Sequence, residues 1–301
     1  MLMNVQPPVH FDHARCTRCA LCEEICPRHV PETTVVGGQR VPRVNPKRAE
    51  LCIRCGHCVA ICPRGAVRMD GISAGEHSPS RSPAVEPGAL QELFTTRRSV
   101  RRFKDAPVTR DHIDRVVTAA LSAPSAAGST SRGIITVTDP TALDRMMREI
   151  HRTYEGLMRA LGSTVGRFFV RRYVGPRRFR AVTSFVQPAL RWYLRWYREG
   201  ERDEISRGAP AVMVFHGPID EPSIDETCMV MATHGMLMAT AIGVGSLMNG
   251  MIPPACNQNR EVRDLIGIPE GHEAYISLCL GYPRYQFRKT IRRPSGSARY
   301  V

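Results

Sequence analysis

Cys16-Thr17-Arg18-Cys19-Ala20-Leu21-Cys22-Glu23-Glu24-Ile25-Cys26-Pro27 returns thirty-six residues later as Cys52-Ile53-Arg54-Cys55-Gly56-His57-Cys58-Val59-Ala60-Ile61-Cys62-Pro63. All four cysteines and the proline recur in register, so the two stretches are an internal duplication. They hold eight of the eleven cysteines of the chain. Three thiolates two residues apart can wrap one 4Fe–4S cubane. The fourth, ahead of proline, lies too far along and ligates the other cubane. The spacing therefore assigns Cys16, Cys19, Cys22 and Cys62 to one cluster, and Cys52, Cys55, Cys58 and Cys26 to the second. Zinc ribbons show paired C-x2-C knuckles, a pattern that these triplets with x3-Cys-Pro overshoot. A secreted disulfide domain would be as rich in cysteine. Met1 to His10 has neither the basic nor the apolar region of a signal peptide, so the expectation is a cytoplasmic, metal-binding chain.

Residues 8 to 70 resemble the bacterial-type two-cluster ferredoxins, and the first domain is expected over residues 1–70. Crossed ligation would tie its halves together, with metal supplying much of the folding energy. Cubanes exchange single electrons, so the remainder of the chain should hold the terminus of a wire. Residues 71–88 read as a linker, with Ser78-Pro79-Ser80-Arg81-Ser82-Pro83 at its centre.

From Ala89 a helical pattern begins, with Leu90, Leu93 and Phe94 at i, i+3 and i+4. Arg97-Arg98-Ser99-Val100-Arg101-Arg102-Phe103 follows. Forked guanidiniums pair bidentately with phosphate and the serine adds a donor. Thr109 to Leu121 reads as a capped amphipathic helix burying Ile113, Val116, Val117 and Ala120. Ala123-Pro124-Ser125 is a turn before the strand Ile134–Val137. Ala211–Phe215 is a β-rich apolar run, Ile224–Ile242 a long apolar helix, Gly243-Val244-Gly245-Ser246 a turn into Leu247-Met248-Asn249-Gly250, and Tyr275–Pro283 a final strand.

This order resembles the nitroreductase-like flavoproteins across residues 89–293. The resemblance implies an α+β fold, a mostly antiparallel central sheet flanked by helices, over 89–301. It implies FMN bound at the interface of a homodimer. Arg97, Arg98 and Ser99 match the positions holding the FMN phosphate and ribityl chain, and Arg101 a basic position by the pyrimidine edge. Met248, Asn249 and Gly250 match the segment whose backbone N–H approaches flavin N5, where the chemistry occurs. Lys289 and Arg292 or Arg293 match a basic pair reaching back to the phosphate. Gly128, Ser129, Thr130, Ser131 and Arg132 replace the residues usual after the Ala-Pro-Ser turn. Ser125 and Ser129 remain as donors to the flavin there.

The formal net charge is +14. Between His151 and Ala209 thirteen arginines face five acidic residues, and both tryptophans of the chain lie there. Residues 151–209 read as a helical insert. It is either a lid whose aromatics stack on a planar, anionic substrate, or a hairpin packed on the neighbouring subunit. The arginines also suit an acidic donor such as ferredoxin or flavodoxin. With basic residues so placed in a flavoenzyme, nucleic acid is not expected. Thr227 to Asn259 lacks charges, but His234, Asn249, glycines and Pro253-Pro254 interrupt it, so it reads as a buried helix and strand rather than a membrane span. His234, Cys228, Cys256 and Cys279 read as core residues, and Tyr154, Tyr173 and Tyr282 as possible proton donors. No Gly-x-Gly-x-x-Gly follows a strand, although NAD(P)H can meet a flavin directly. The resulting expectation is an oxidoreductase passing single electrons through two 4Fe–4S clusters to FMN, which reduces a small organic substrate. The alternative is an electron-transfer subunit whose flavin relays to a protein partner.

Overall fold

A computed structural model describes residues 8–71, 85–125, 131–291 and 299. The chain divides into two compact units, one ending at Ala84 and one running from Val85 on, the 125–130 segment excepted.

The first unit carries the duplication into three dimensions. Strands β1 (Val9–Phe11) and β4 (Val67–Met69) pair antiparallel, as do β2 (Pro31–Val36) and β3 (Gln39–Val44). Each cysteine loop ends in one helical turn, α1 (Leu21–Glu24) or α2 (His57–Ala60). The positive-φ positions are also duplicated: Arg18 with Arg54, Ala20 with Gly56, and His29 with Gly65. The core is small, comprising Val9, Val59, Val67, Met69 and the two cysteines Cys22 and Cys58.

The second unit is built on a four-stranded antiparallel sheet in the order β5 (Gly133–Val137), β6 (Ala211–Pro218), β8 (His272–Gly281), β7 (Gly245–Asn249). An unbroken apolar run such as Ala211–Phe215 suits a strand covered on both faces. Side chains alternate between those faces. Val212, Val214, Leu247 and Cys279 join one core with helices α5 (Pro140–Leu161), α7 (Gln187–Arg198), α9 (Ile252–Gln258) and α10 (Arg260–Ile266). Met213, Phe215, Leu278 and Leu280 join the other with α4 (Arg110–Leu121) and α8 (Ile224–Ala241).

Thr109 caps α4 by accepting from the His112 N–H, and Ile113, Val116 and Ala120 are buried. At its other end Arg132 Nη2 donates to the carbonyls of Leu121 and Ala123 at 3.2 and 3.1 Å. This residue, which departs from the family pattern, therefore closes a helix C-terminus.

Three expectations are corrected. The helix expected from Ala89 is α3 (Pro87–Thr96), which starts two residues earlier because Pro87 pre-sets the first turn; its Leu90 and Phe94 are exposed. The helical segment expected from 151 begins at Pro140, capped by Asp139. Its Leu143, Met146, Met147 and Ile150 are core residues, so α5 is part of the scaffold rather than an insertion. His234 is half-buried on α8 and outside both cores. From Thr164 the chain forms α6 (Thr164–Ala181), kinked at Gly175-Pro176, then a π-helical turn (Val182–Val186) and α7. α6 has no buried residue; Val165, Phe168, Phe169 and Tyr173 are exposed. No helix among the described residues is long and apolar enough to cross a membrane.

Candidate functional site

Two cavities in the first unit are each lined by four cysteines. Cys16, Cys19, Cys22 and Cys62 share one with Phe11, Thr17 and Val67. Cys26, Cys52, Cys55 and Cys58 share the other with Val9, Val30 and Met69. Each quartet draws three thiols from one loop and the fourth from its duplicate. The left-handed residues curl each loop so that backbone N–H groups face sulfur. Arg18 N–H reaches Cys16 Sγ at 3.3 Å, while Val30 and Ala66 N–H, again thirty-six residues apart, reach Cys26 and Cys62 Sγ at 3.4 and 3.1 Å. As a free thiol, Cys58 is pushed up to about 12, by burial first and then by Cys26, Cys52 and Cys55. Burial, with Cys16 and Cys19, likewise raises Cys22. Crowded thiolates, of which Cys22 and Cys58 are buried, need a cationic centre for all four of a quartet to stay ionised. The donor set fits an iron–sulfur cluster at each cavity.

In the second unit the arginine run crosses the end of the sheet. Val100 N–H donates to the Ser246 carbonyl at 2.9 Å, Ser99 bridges Ser246 in parallel, and Phe103 bridges Pro283. Gly245 and Gly281 sit opposite each other on β7 and β8. A Cβ on Gly245 would lie 2.9 Å from Val100, and one on Gly281 would lie 2.7 Å from Phe103. The missing side chains let the run pack directly on the strands.

Arg98 Nη1 donates to the carbonyls of Thr95 and Arg97, both at 2.9 Å. Its Nε and Nη2 are buried without a partner, as is Ser246 Oγ. A guanidinium fixed on one edge and unsatisfied on the other is a seat for an anion. Arg97 is half-buried, with Nη1 3.6 Å from Met236 Sδ. Arg101 is exposed and its Nη1 contacts the Ser99 carbonyl at 3.4 Å. The donors fit a phosphate-bearing flavin.

β7 is an edge strand, with β8 on one side. Ser246 turns its carbonyl outward to Val100, so by alternation Met248 presents its backbone to the same open edge. Asn249 is buried and its side chain is consumed internally. Nδ2 donates to the Ile205 carbonyl at 2.6 Å, and Oδ1 accepts from Met251 N–H at 2.8 Å. Gly250 is exposed. Tyr154 donates to the Met251 carbonyl at 2.5 Å, and burial pushes its phenol well above the ordinary value. Tyr282 pairs with His112 Nδ1 at 3.0 Å, and Tyr173 is 77% exposed. Cys228, Cys256 and Cys279 are fully buried. Ser125 is half-buried beyond α4, and Lys289 is exposed. Ser129, Arg292 and Arg293 lie outside the described residues.

Two clusters were not singled out in the sequence. In one, buried His151 stacks on Tyr197 with centroids 3.5 Å apart, and its Nε2 meets Asp203 Oδ1 at 3.0 Å. Asp203 also accepts from the Ser206 hydroxyl and from Ile205 N–H. In the other, Glu204, 3% exposed, gathers Arg102, Arg202 and Arg207. The only signal for either was acid within an arginine-rich stretch.

Comparison with known proteins agrees with both halves. Residues 94–282, more than half of the chain, match the nitroreductase family, and residues 15–67 match a 4Fe-4S dicluster domain. A protein of Archaeoglobus fulgidus, named as a candidate NADH dehydrogenase/NAD(P)H nitroreductase, is 24% identical over 193 residues, covering 64% of this chain and 84% of its own. Among solved structures, a nitroreductase with bound FMN from Desulfitobacterium hafniense superposes with a TM-score of 0.53 at 20% identity, over 72% of this chain and all of the other. A second, from Bacteroides fragilis, gives 0.52 at 19% identity, over 70% of this chain and 98% of the other. The chain belongs to the nitroreductase family of FMN-dependent oxidoreductases, and carries ahead of that domain a 4Fe–4S dicluster domain of the ferredoxin type.

Proposed function

We propose that this chain accepts electrons one at a time in its first unit and uses them in the second to reduce a small, planar organic molecule, such as a nitro compound or an activated alkene. When bound, the two clusters supply one-electron transfer and FMN supplies the step to two-electron reduction. The supporting observation is that one chain combines two four-cysteine cavities with the buried, half-satisfied guanidinium of Arg98.

In this reading Cys16, Cys19, Cys22 and Cys62 hold one cluster, and Cys26, Cys52, Cys55 and Cys58 the other. Arg97, Arg98 and Ser99 hold the phosphate end of FMN, joined by Lys289 and Arg292 or Arg293. Arg101 supplies positive charge at the pyrimidine edge. The open backbone edge at Met248 to Gly250 orients the ring, and Ser125 and Ser129 add donors. Asn249 and Tyr154 act behind that edge: their bonds to Ile205 and Met251 fix the backbone rather than touch the ring. The protein is a cytoplasmic homodimer, for which the exposed Val165, Phe168, Phe169 and Tyr173 of α6 are an unpartnered face. Reduced ferredoxin or flavodoxin is the donor favoured over NAD(P)H. Relay to an acidic protein partner is the competing reading, favoured by the arginines of α6 and α7; it predicts reduction of dyes but of no bound organic substrate.

The test is anaerobic purification with iron, sulfide and flavin assays, followed by stopped-flow reduction. Reduced ferredoxin should bleach the flavin of the wild type rapidly, and that of Cys16→Ala/Cys52→Ala far more slowly. Equal rates in the two proteins, with NADPH as effective as ferredoxin, would refute the internal route.

A further inference from the structure

Glu204 is a buried carboxylate with more cations than it can neutralise. Arg102 Nη2 meets Oε1 at 2.9 Å, Arg207 pairs with Oε2, and Arg202 Nη1 lies 3.8 Å from Oε1. Arg202 also approaches Glu201 at 3.9 Å. Arg101, next in the chain to Arg102, is exposed and forms no ion pair among the described residues. Four arginines against Glu201, Glu204 and the adjoining Asp203 leave one positive charge. The side chain of Arg207 is only 18% exposed. Burial lowers its proton affinity, Tyr193 raises it, and the like charges of Arg102 and Arg101 lower it again, so the net direction is down. Excess positive charge in a partly dry site is costly unless an anion enters.

The surroundings are aromatic. Arg207 lies 5.4 Å from the Tyr193 ring centroid and donates to the Tyr193 hydroxyl at 3.2 Å. Arg202 lies 4.7 Å from the Trp196 centroid, and the Tyr193 and Trp196 rings are near-parallel at 6.3 Å. Both Nη groups of Arg102 and of Arg207 are engaged, which fixes their rotamers, whereas Arg202 meets its carboxylates only at 3.8 and 3.9 Å and keeps donors for a ligand; fixed neighbours lower the entropic cost of binding. The cluster is joined to the flavin-binding elements of the same unit: Arg101 and Arg102 continue the arginine run, and the Ile205 carbonyl is held by Asn249.

We propose that Arg102, Arg202 and Arg207, with Tyr193 and Trp196, form the substrate subsite for the carboxylate of a planar aromatic acid. The inference rests on the flavin-reductase reading above and narrows its substrate class. Both tryptophans of the chain belong to the same α7 face, with Trp192 5.8 Å from Trp196, so intrinsic fluorescence reports on the subsite without turnover.

The experiment titrates benzoate, benzamide and inorganic phosphate into the full-length, cluster- and FMN-loaded protein while tryptophan emission is followed. Alongside it, kcat/KM is compared for 4-nitrobenzoate and nitrobenzene. Saturable change with benzoate at concentrations at least about ten-fold below those needed for benzamide is expected, with a similar preference for the nitro acid. Arg207→Gln should bring both ratios towards one. Arg202→Gln, at the exposed rim, should reduce them if the first variant does not fold. Equal response to benzoate and benzamide, or a preference that survives both substitutions, overturns the proposal. Phosphate competing as well as benzoate overturns its aromatic part. A wild type that retains FMN and reduces nitrobenzene without preferring the acid overturns the subsite alone. A wild type that retains no flavin but still discriminates benzoate overturns the flavin reading instead.

Discussion

Arg98 has one edge bonded to the Thr95 and Arg97 carbonyls and the other buried and empty-handed. A charged donor left that way costs on the order of 1–3 kcal/mol, which an anion recovers. Arg98→Gln should therefore weaken FMN binding by roughly ten- to one-hundred-fold. Fluorescence titration of the flavin-free protein measures this, and unchanged affinity would place the phosphate elsewhere. Asp203 carries a different load. Burial alone would raise its carboxyl, but bonds from His151, Ser206 and Ile205 outweigh that and hold it below the ordinary value. A depressed folded-state value stabilises the fold above the unfolded carboxylate value near pH 4, and that stability is lost as pH falls through the folded value. Urea midpoints measured from pH 6 down to 3 should fall in the wild type. Asp203→Asn should flatten that limb, by at most about 1.4 kcal/mol per pH unit. Arg97, Arg98 and Ser99 stand out in sequence as consecutive donors around a serine, but a basic run is more often solvated, and their assignment to the FMN phosphate is the proposal that the Arg98 titration tests. Asp203 and Glu204 could not be singled out, because two of their partners, His151 and Arg102, lie tens of residues away and only the fold brings them there.

At the scale of elements, spacing was most readable where chemistry or periodicity is strict. The cysteine loops recur in structure down to their left-handed residues, and α4, β6, α8 and β7 fall close to where apolar period and capping put them. The start of α5 was misread because arginine content, rather than the Leu143–Met146–Ile150 face, marked the boundary. Of the two glycines opposite each other on β7 and β8, Gly245 was read as a turn residue and Gly281 as part of the final strand, whereas what both give is room. Phe103 lies where a Gly281 side chain would begin, with Pro210 at 2.8 Å behind it. The neighbouring backbone is pinned by Lys104 N–H to the Tyr282 carbonyl and Arg284 N–H to the Arg102 carbonyl. Relief by movement is thus limited, and Gly281→Ala should cost about 1–3 kcal/mol of stability. It should also release FMN more readily, because Phe103 anchors the far end of the arginine run. Thermal unfolding and flavin retention on gel filtration measure the two effects. A variant as stable as the wild type would show that the strand edge is softer than its contacts suggest.

The whole molecule joins two units with unlike sources of stability. The nitroreductase unit has two apolar cores, one on each face of its sheet, both closed by helices. The ferredoxin-type unit has a single small core in which Cys22 and Cys58 take part, so two of the proposed cluster ligands are also its packing. Domains this small usually need metal or crosslinks to fold. Oxidative removal of iron followed by chelation, applied to the full chain, should therefore act on one unit. Calorimetry of the intact protein should show two transitions. After iron removal one should vanish, and amide exchange in residues 8–71 should become fast while β6 and β8 stay protected. Re-addition of iron and sulfide under reducing conditions should restore protection to both cysteine loops together, since each cavity takes a thiol from both. Protection returning in one loop before the other would mean that each run holds its own metal, and would break the crossed assignment of Cys26 and Cys62.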